Sequence, residues 1–213
     1  MMYTDPAIIR PETFRLLQTL QSDPELEQHF LVGGTALALF LGHRLSIDLD
    51  LFSQRDFHTS KLEEHLQRTY QFYTTGKERN TLRGFIHEVK VDLITHAYPL
   101  VEPLVQIKGL RLASRLDIAA MKLNAIASND TRQKDFFDIY FLLEHYSLDQ
   151  MLSAYEVKYS LSSPMVPLRA LTYFSDVDFD FEPPELIRKV DFTKVKNRLL
   201  EAVQSSAKIF RGQ

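Results

Sequence analysis

A chain of 213 residues with 45% hydrophobic and 25% charged side chains has the make-up of a globular protein of one large domain or two small ones. Its net charge of −3 gives no overall attraction to nucleic acid, so an RNA partner would need a local basic patch. The absence of cysteine excludes disulfides and Cys-zinc sites, and seven scattered histidines without H-E-x-x-H or His-x-His spacing argue against a histidine metal site. The longest apolar run, residues 30–42, is interrupted by Gly-Gly-Thr and too short to span a bilayer, and the opening segment lacks the apolar core of a signal peptide. The expectation is a cytoplasmic protein with no membrane partner.

Pro11 suits the first turn of a helix whose apolar stripe is Phe14, Leu16, Leu17 and Leu20, and a shorter helix is expected near Pro24. Residues 30–32 read as a strand entering a turn at Gly33-Gly34. Residues 35–41 then read as a buried helix stopped by Gly42. A strand over 46–52 carries Asp48 and Asp50, and Ser60-x-x-Glu63 reads as a capping box opening a helix to about Tyr70. From 72 to 96 the pattern changes to strands, with a turn at 76–80 and hairpin partners at 81–86 and 88–95. Asp92 interrupts the apolar set Val89, Val91, Leu93 and Ile94. Beyond Gly109 the pattern turns helical. Ser114-x-x-Asp117 caps a helix to about 127, Asn129-Asp130 reads as a turn, and an aromatic-rich helix runs over 131–145. Further helices follow, broken at Pro164, Pro167 and Pro183-Pro184. The pattern predicts an α/β unit over 1–110 and a helical unit over 111–213.

The chemistry concentrates in residues 30–52. Side chains alternate along a strand, so Asp48 and Asp50 share a face about 7 Å apart. Two such carboxylates repel unless a cation sits between them, and a hard, oxygen-seeking ion such as Mg²⁺ (or Mn²⁺) is the natural partner. The Gly33-Gly34 pair allows close approach of a backbone or a phosphate and aims helix N–H groups at it. A P-loop is excluded, since no Gly-Lys-Ser/Thr follows.

Val32 before Gly33-Gly34, a thirteen-residue spacer and Asp48-Leu49-Asp50 resemble the nucleotidyltransferase superfamily signature. The finer pattern, Gly-Gly-Thr-Ala-Leu followed by Gly42-x-Arg44-x-Ser46-x-Asp48-Leu-Asp50-Leu-Phe52, is similar to its AbiEii/AbiGii toxin branch. So is the run Lys122-Leu-Asn-Ala125-Ile126, Arg132 and Lys134-Asp135-Phe-Phe-Asp138. The resemblance implies an α/β (α+β) fold: a nucleotidyltransferase-like mixed sheet with flanking helices over 1–110, and a C-terminal helical half over 111–213 completing the nucleotide cleft. It implies Asp48 and Asp50 as metal ligands, Asp92 as a third carboxylate or general base, Lys122 on the triphosphate, and Asp135 orienting Lys122 or the nucleotide. Gly33, Gly34, Thr35, Arg44 and Ser46 would bind the nucleotide. Lys134 and Asp138 fit either the site or a salt-bridged stripe opposite the aromatic face, and the basic residues between 188 and 198 read as a solvated helix face.

The implied activity is Mg-dependent transfer of a nucleotide from an NTP to an RNA, such as tRNA, or to a protein. The implied setting is a toxin–antitoxin or phage-defence pair with an antitoxin encoded nearby. Two rivals make different products. A phosphatase with an Asp-x-Asp strand would carry a small polar residue where Phe52 stands and would release inorganic phosphate. A binding module on the same fold would release nothing.

Overall fold

The structure, a computed structural model, describes residues 2–128, 132–179 and 183–211. Helix α1 (Pro11–Ser22) starts on Pro11 and buries Leu17 and Leu20. A 3-10 turn at Pro24–Leu26 follows, capped by the Asp23 carboxylate. Strand β1 (Phe30–Leu31) runs straight into α2 (Gly33–Leu41), which ends on Gly42 in the left-handed conformation, φ 61°. Then come β2 (Leu49–Ser53), α3 (Thr59–Tyr70), and the meander β3 (Tyr73–Glu78), β4 (Thr81–Ile86) and β5 (Val89–Thr95). A short hairpin, β6 (Val105–Ile107) and β7 (Leu110–Leu112), completes the sheet. The remaining elements are α4 (Arg115–Ala127), α5 (Gln133–Leu142), α6 (Leu148–Lys158), α7 (Met165–Ala170) and α8 (Phe192–Gln204).

Among the described residues the strands form one mixed sheet in the order β3-β4-β5-β2-β1-β7-β6. β2 pairs parallel with β5, and β1 parallel with β7, while β1 and β2 are antiparallel. The β2–β5 register sets Asp50 directly beside Asp92, and Leu49, Leu51, Val91 and Leu93 fill the core on either side of them. Each fully buried leucine there is worth about 1.5–3 kcal/mol of transfer free energy, so a register slip that exposed this set would be heavily penalised. α4 packs against α2, α5 and α6, which joins the helical region to the Gly-Gly turn. No helix among the described residues is long and apolar enough to cross a membrane.

Several boundaries differ from the sequence reading. The strand expected over 46–52 begins at Leu49, with Asp48 just ahead of it. The residue capping α3 is His58, whose ring nitrogen accepts from the Lys61 N–H; Ser60 lies inside the helix, and Glu63 instead binds Thr74 and Lys77. Residues 76–78 belong to β3, and the turn is made by Arg79 and Asn80, the latter at φ 59°. After Gly109 the chain is not yet helical: Lys108 and Gly109, both at positive φ, make the tight β6–β7 turn, and α4 starts at Arg115. Three-residue strands carry too little periodicity to read. Asn129-Asp130 and Thr131 lie outside the described residues, and the following helix spans Gln133–Leu142 rather than 131–145. Arg198 is buried against Tyr140 and Glu144 rather than lying on a solvated face.

Candidate active site

β1 delivers the chain to Gly33 at φ 67°, a conformation that disfavours any side chain. A Cβ on Gly33 would overlap the Asp50 carboxylate, and one on Gly34 would overlap the Arg44 guanidinium. Each glycine thus leaves room for a functional side chain. The residue capping α2, Val32, offers no side-chain acceptor, so the first-turn amides have no side-chain cap. Such a helix terminus is suited to an anion. The Thr35 hydroxyl is buried and donates to Ser46 Oγ (2.8 Å) or to the Asp48 carbonyl, which ties the loop before β2 to α2.

Asp48 just ahead of β2, Asp50 near its start and Asp92 in the middle of β5 converge on one cavity. Burial, then the charge of Asp92, pushes the Asp50 carboxyl up to about 6, with Asp48 adding and Lys122 and Lys90 opposing. Asp92 is only 8% exposed. Its Oδ2 lies 3.5 Å from Lys90 Nζ, and its Oδ1 has no hydrogen-bond partner among the described residues. Neither Asp48 nor Asp50 forms an ion pair there. An under-neutralised carboxylate pair with an unpartnered oxygen alongside is the electrostatic signature of a cation site. Among the described residues no three His, Cys, Asp or Glu side chains form a ready-made cage. A cation held by Asp48 and Asp50 would therefore need oxygens from elsewhere, such as water or phosphate.

From the helical side, α4 presents Lys122. Lys122 is 8% exposed, and its ammonium donates to Asp135 and lies 2.7 Å from Asp138 Oδ2. Arg132 Nη2 approaches the other Asp135 oxygen at 3.4 Å. Arg44 grips Asp138 with a two-pronged contact, Nε to Oδ1 at 2.7 Å and Nη2 to Oδ2 at 3.0 Å. His43 Nε2 lies 2.8 Å from the same Oδ1. Burial alone would push Asp138 up, but Arg44, Lys122 and the His43 hydrogen bond outweigh it and hold the carboxyl well below its usual range. Burial likewise opposes the Lys122 charge, and Asp135 and Asp138 reverse that and raise it.

Gly33, Gly34, Thr35, Arg44, Ser46, Asp48, Asp50, Asp92, Lys122 and Asp135 all line one cavity of about 270 Å³. A wider depression of about 750 Å³ between 56–60 and 77–80 lacks any comparable convergence of carboxylates on a glycine turn. Sequence reasoning missed Lys90 and Met121 and gave no role to the motif residues Val32, Phe52, Ala125 and Arg132, which also line the cavity. Lys90 and Phe52 stand two positions from Asp92 and Asp50, so strand alternation was a usable signal. Met121 sits a turn before Ala125 on α4 and carried no signal of its own. The Arg44–Asp138 pair, 94 residues apart in sequence, was invisible as a pair, and Arg44 spends its fork on Asp138 rather than holding it open in the cavity.

The mixed sheet, the glycine turn and the carboxylates on adjacent strands define a nucleotidyltransferase-type protein. A structure described as "putative nucleotidyltransferase from H. pylori" shares the fold, at 20% identity over 92% of each chain and a TM-score of 0.61. JHP933 from Helicobacter pylori does so at 20% identity over 92% of this chain and 89% of that one, with a TM-score of 0.57. Residues 15–209 match the family described as "Nucleotidyl transferase AbiEii toxin, Type IV TA system", and the chain belongs to that family. A relative in Aquifex aeolicus (strain VF5), "Uncharacterized protein aq_aa25", is 29% identical over 164 residues, 72% of this chain and 79% of that one. The chain is accordingly a transferase of the nucleotidyltransferase class.

Proposed function

We propose that the 270 Å³ cavity binds a nucleoside triphosphate together with Mg²⁺ or Mn²⁺, and that the enzyme moves the nucleotide to a hydroxyl of an RNA, tRNA being the first to test, or of a protein. The observation that supports this reading is the meeting of the Gly33-Gly34 turn, the Asp48/Asp50 pair, Asp92 and Lys122 in one cavity. The amides at the start of α2 would receive a phosphate, and Lys122, already charged and aimed by Asp135, would neutralise part of the triphosphate. Thr35 and Ser46 would act by holding the Asp48 loop in place. Asp48 and Asp50 would hold the cation, which when bound supplies neutralisation of phosphate charge and alignment of the reacting oxygens. Asp92, with one oxygen unpartnered, would take the proton from the attacking hydroxyl as the new phosphoester bond forms and pyrophosphate departs. The family setting supports a toxin role, with an antitoxin encoded nearby.

The test is incubation with each α-labelled NTP, Mg²⁺ and total tRNA or total cellular protein. Label should enter one acceptor class with release of pyrophosphate, and Asp48→Asn/Asp50→Asn should abolish it. Release of inorganic phosphate would favour a phosphatase, and NTP binding with no transfer to any acceptor would favour a binding module.

A further inference from the structure

We infer that Asp138 is a positioning residue that keeps the cations Arg44 and Lys122 away from the metal carboxylates Asp48 and Asp50. The inference rests on the proposed metal assignment. Asp138 is fully buried and touches no part of the cavity lining except through its partners. A carboxylate offers about four lone-pair positions, and here three hydrogen bonds, His43 Nε2 and Arg44 Nε on Oδ1 and Arg44 Nη2 on Oδ2, are joined by an ion pair with Lys122 Nζ 2.7 Å from Oδ2.

The arrangement addresses a hazard intrinsic to the site. Arg44 and Lys122 line the same cavity as Asp48 and Asp50, in surroundings where opposite charges attract strongly. Direct pairing would neutralise the carboxylates and leave them nothing to offer a cation. The structure shows the opposite sorting: both cations are held on Asp138, Lys122 is shared with Asp135, and neither Asp48 nor Asp50 has an ion-pair partner among the described residues. The anchor also spans the fold, since Arg44 precedes β2 whereas Lys122 and Asp138 lie on α4 and α5. Glycine at 34 belongs to the same device, because a side chain there would displace the guanidinium that Asp138 holds.

The test compares wild type with Asp138→Asn, which keeps the shape and removes the charge. Two readouts need no nucleotide: the affinity for Mn²⁺ alone, followed by electron paramagnetic resonance, and the rate of Lys122 acetylation by acetic anhydride, followed by mass spectrometry against remote lysines. Loss of one charged hydrogen bond is worth about tenfold or more. Asp138→Asn should weaken Mn²⁺ binding by about that factor and acetylate Lys122 several-fold faster at unchanged remote-lysine rates. A folded Asp138→Asn protein with wild-type Lys122 reactivity overturns the inference. Faster Lys122 labelling with unchanged Mn²⁺ affinity also overturns it, since the cations would then be positioned for another purpose. If wild type binds no Mn²⁺, the metal assignment fails, and with it the segregation of charge. If Asp138→Asn does not fold, Arg44→Met/Asp138→Asn removes both members of the buried pair, and Lys122 labelling in that background decides the positioning role on the same criterion.

Discussion

Gly34 and Gly33 are small because of what stands over them. A methyl at 34 must move the Arg44 guanidinium, whose position is fixed by two hydrogen bonds to buried Asp138. Gly34→Ala should therefore cost about 1–3 kcal/mol of stability, the range for overpacking, and impair nucleotide transfer. A denaturant midpoint equal to wild type would show that Arg44 yields freely. Asp50 behaves in the opposite sense. Its carboxyl is raised to about 6, so ionisation near pH 7 opposes folding when no cation is bound. Asp48→Asn/Asp50→Asn should raise the melting temperature of the metal-free protein, by an amount on the order of 1–2 kcal/mol in stability. The same variant should lose the extra stabilisation that Mg²⁺ adds to NTP. A metal-dependent shift that persists would remove these two residues from the cation site.

The elements around the site differ in how far local sequence encodes them. β1, the glycine turn, α2 and β2 were legible because their information is local: an apolar triplet, Gly-Gly, a buried helix stopped by Gly42, and Asp-x-Asp within 23 residues. Asp92 was legible as a charge in an apolar strand, but not its place beside Asp50, which is a matter of register between β2 and β5. The β6–β7 hairpin escaped because three-residue strands show no period, although Lys108-Gly109 before Leu110 is in hindsight a turn followed by an apolar alternation. Asp138 fitted either the site or a salt-bridged stripe with Lys134, because on α5 alone nothing reveals that Arg44 and His43, just past the end of α2, come to meet it. The α4–α5 contact also sets a cost. Lys122→Ala would leave Asp135 and Asp138 facing each other without their shared ammonium, and breaking a buried pair in this way costs about 3–5 kcal/mol. Calorimetric unfolding should show that loss before any nucleotide is added, and a variant as stable as wild type would mean the ammonium is dispensable to the helices.

At the scale of the whole molecule, the sheet extends past residue 110. β7, at Leu110–Leu112, pairs with β1, the strand that carries the glycine turn. A fragment of residues 1–110 loses most of that strand together with α4, and should fail to give a cooperative melting transition. A sharp transition in the fragment would show that the first half stands alone. The molecule should also lose stability in mild acid. His29 is 1% exposed with neither ring nitrogen hydrogen-bonded among the described residues, and burial, then the charge of Arg111, pushes it down to about 4. Half-buried His96 is lowered to about 4 as well, chiefly by burial and then by Lys158. Above pH 6.5 these rings are neutral folded or unfolded. Between 6.5 and about 4 the unfolded chain takes up protons that the native fold refuses, so stability falls as pH falls. At about 1.4 kcal/mol per unit, His29 alone accounts for roughly 3 kcal/mol by pH 4. His29→Leu should flatten that part of the stability–pH curve, and an unchanged slope would place the acid sensitivity elsewhere.

One cavity, lined from the strand β2–β5 region and from helices α4 and α5, is proposed to hold the metal and the triphosphate together. A crystal structure with Mn²⁺ and a non-hydrolysable NTP analogue tests it most directly. An anomalous Mn²⁺ peak in contact with Asp48 and Asp50 is expected, with a triphosphate running from the Gly33-Gly34 turn to the Lys122 ammonium. A nucleotide bound outside that cavity, or a Mn²⁺ peak touching neither carboxylate, would contradict it.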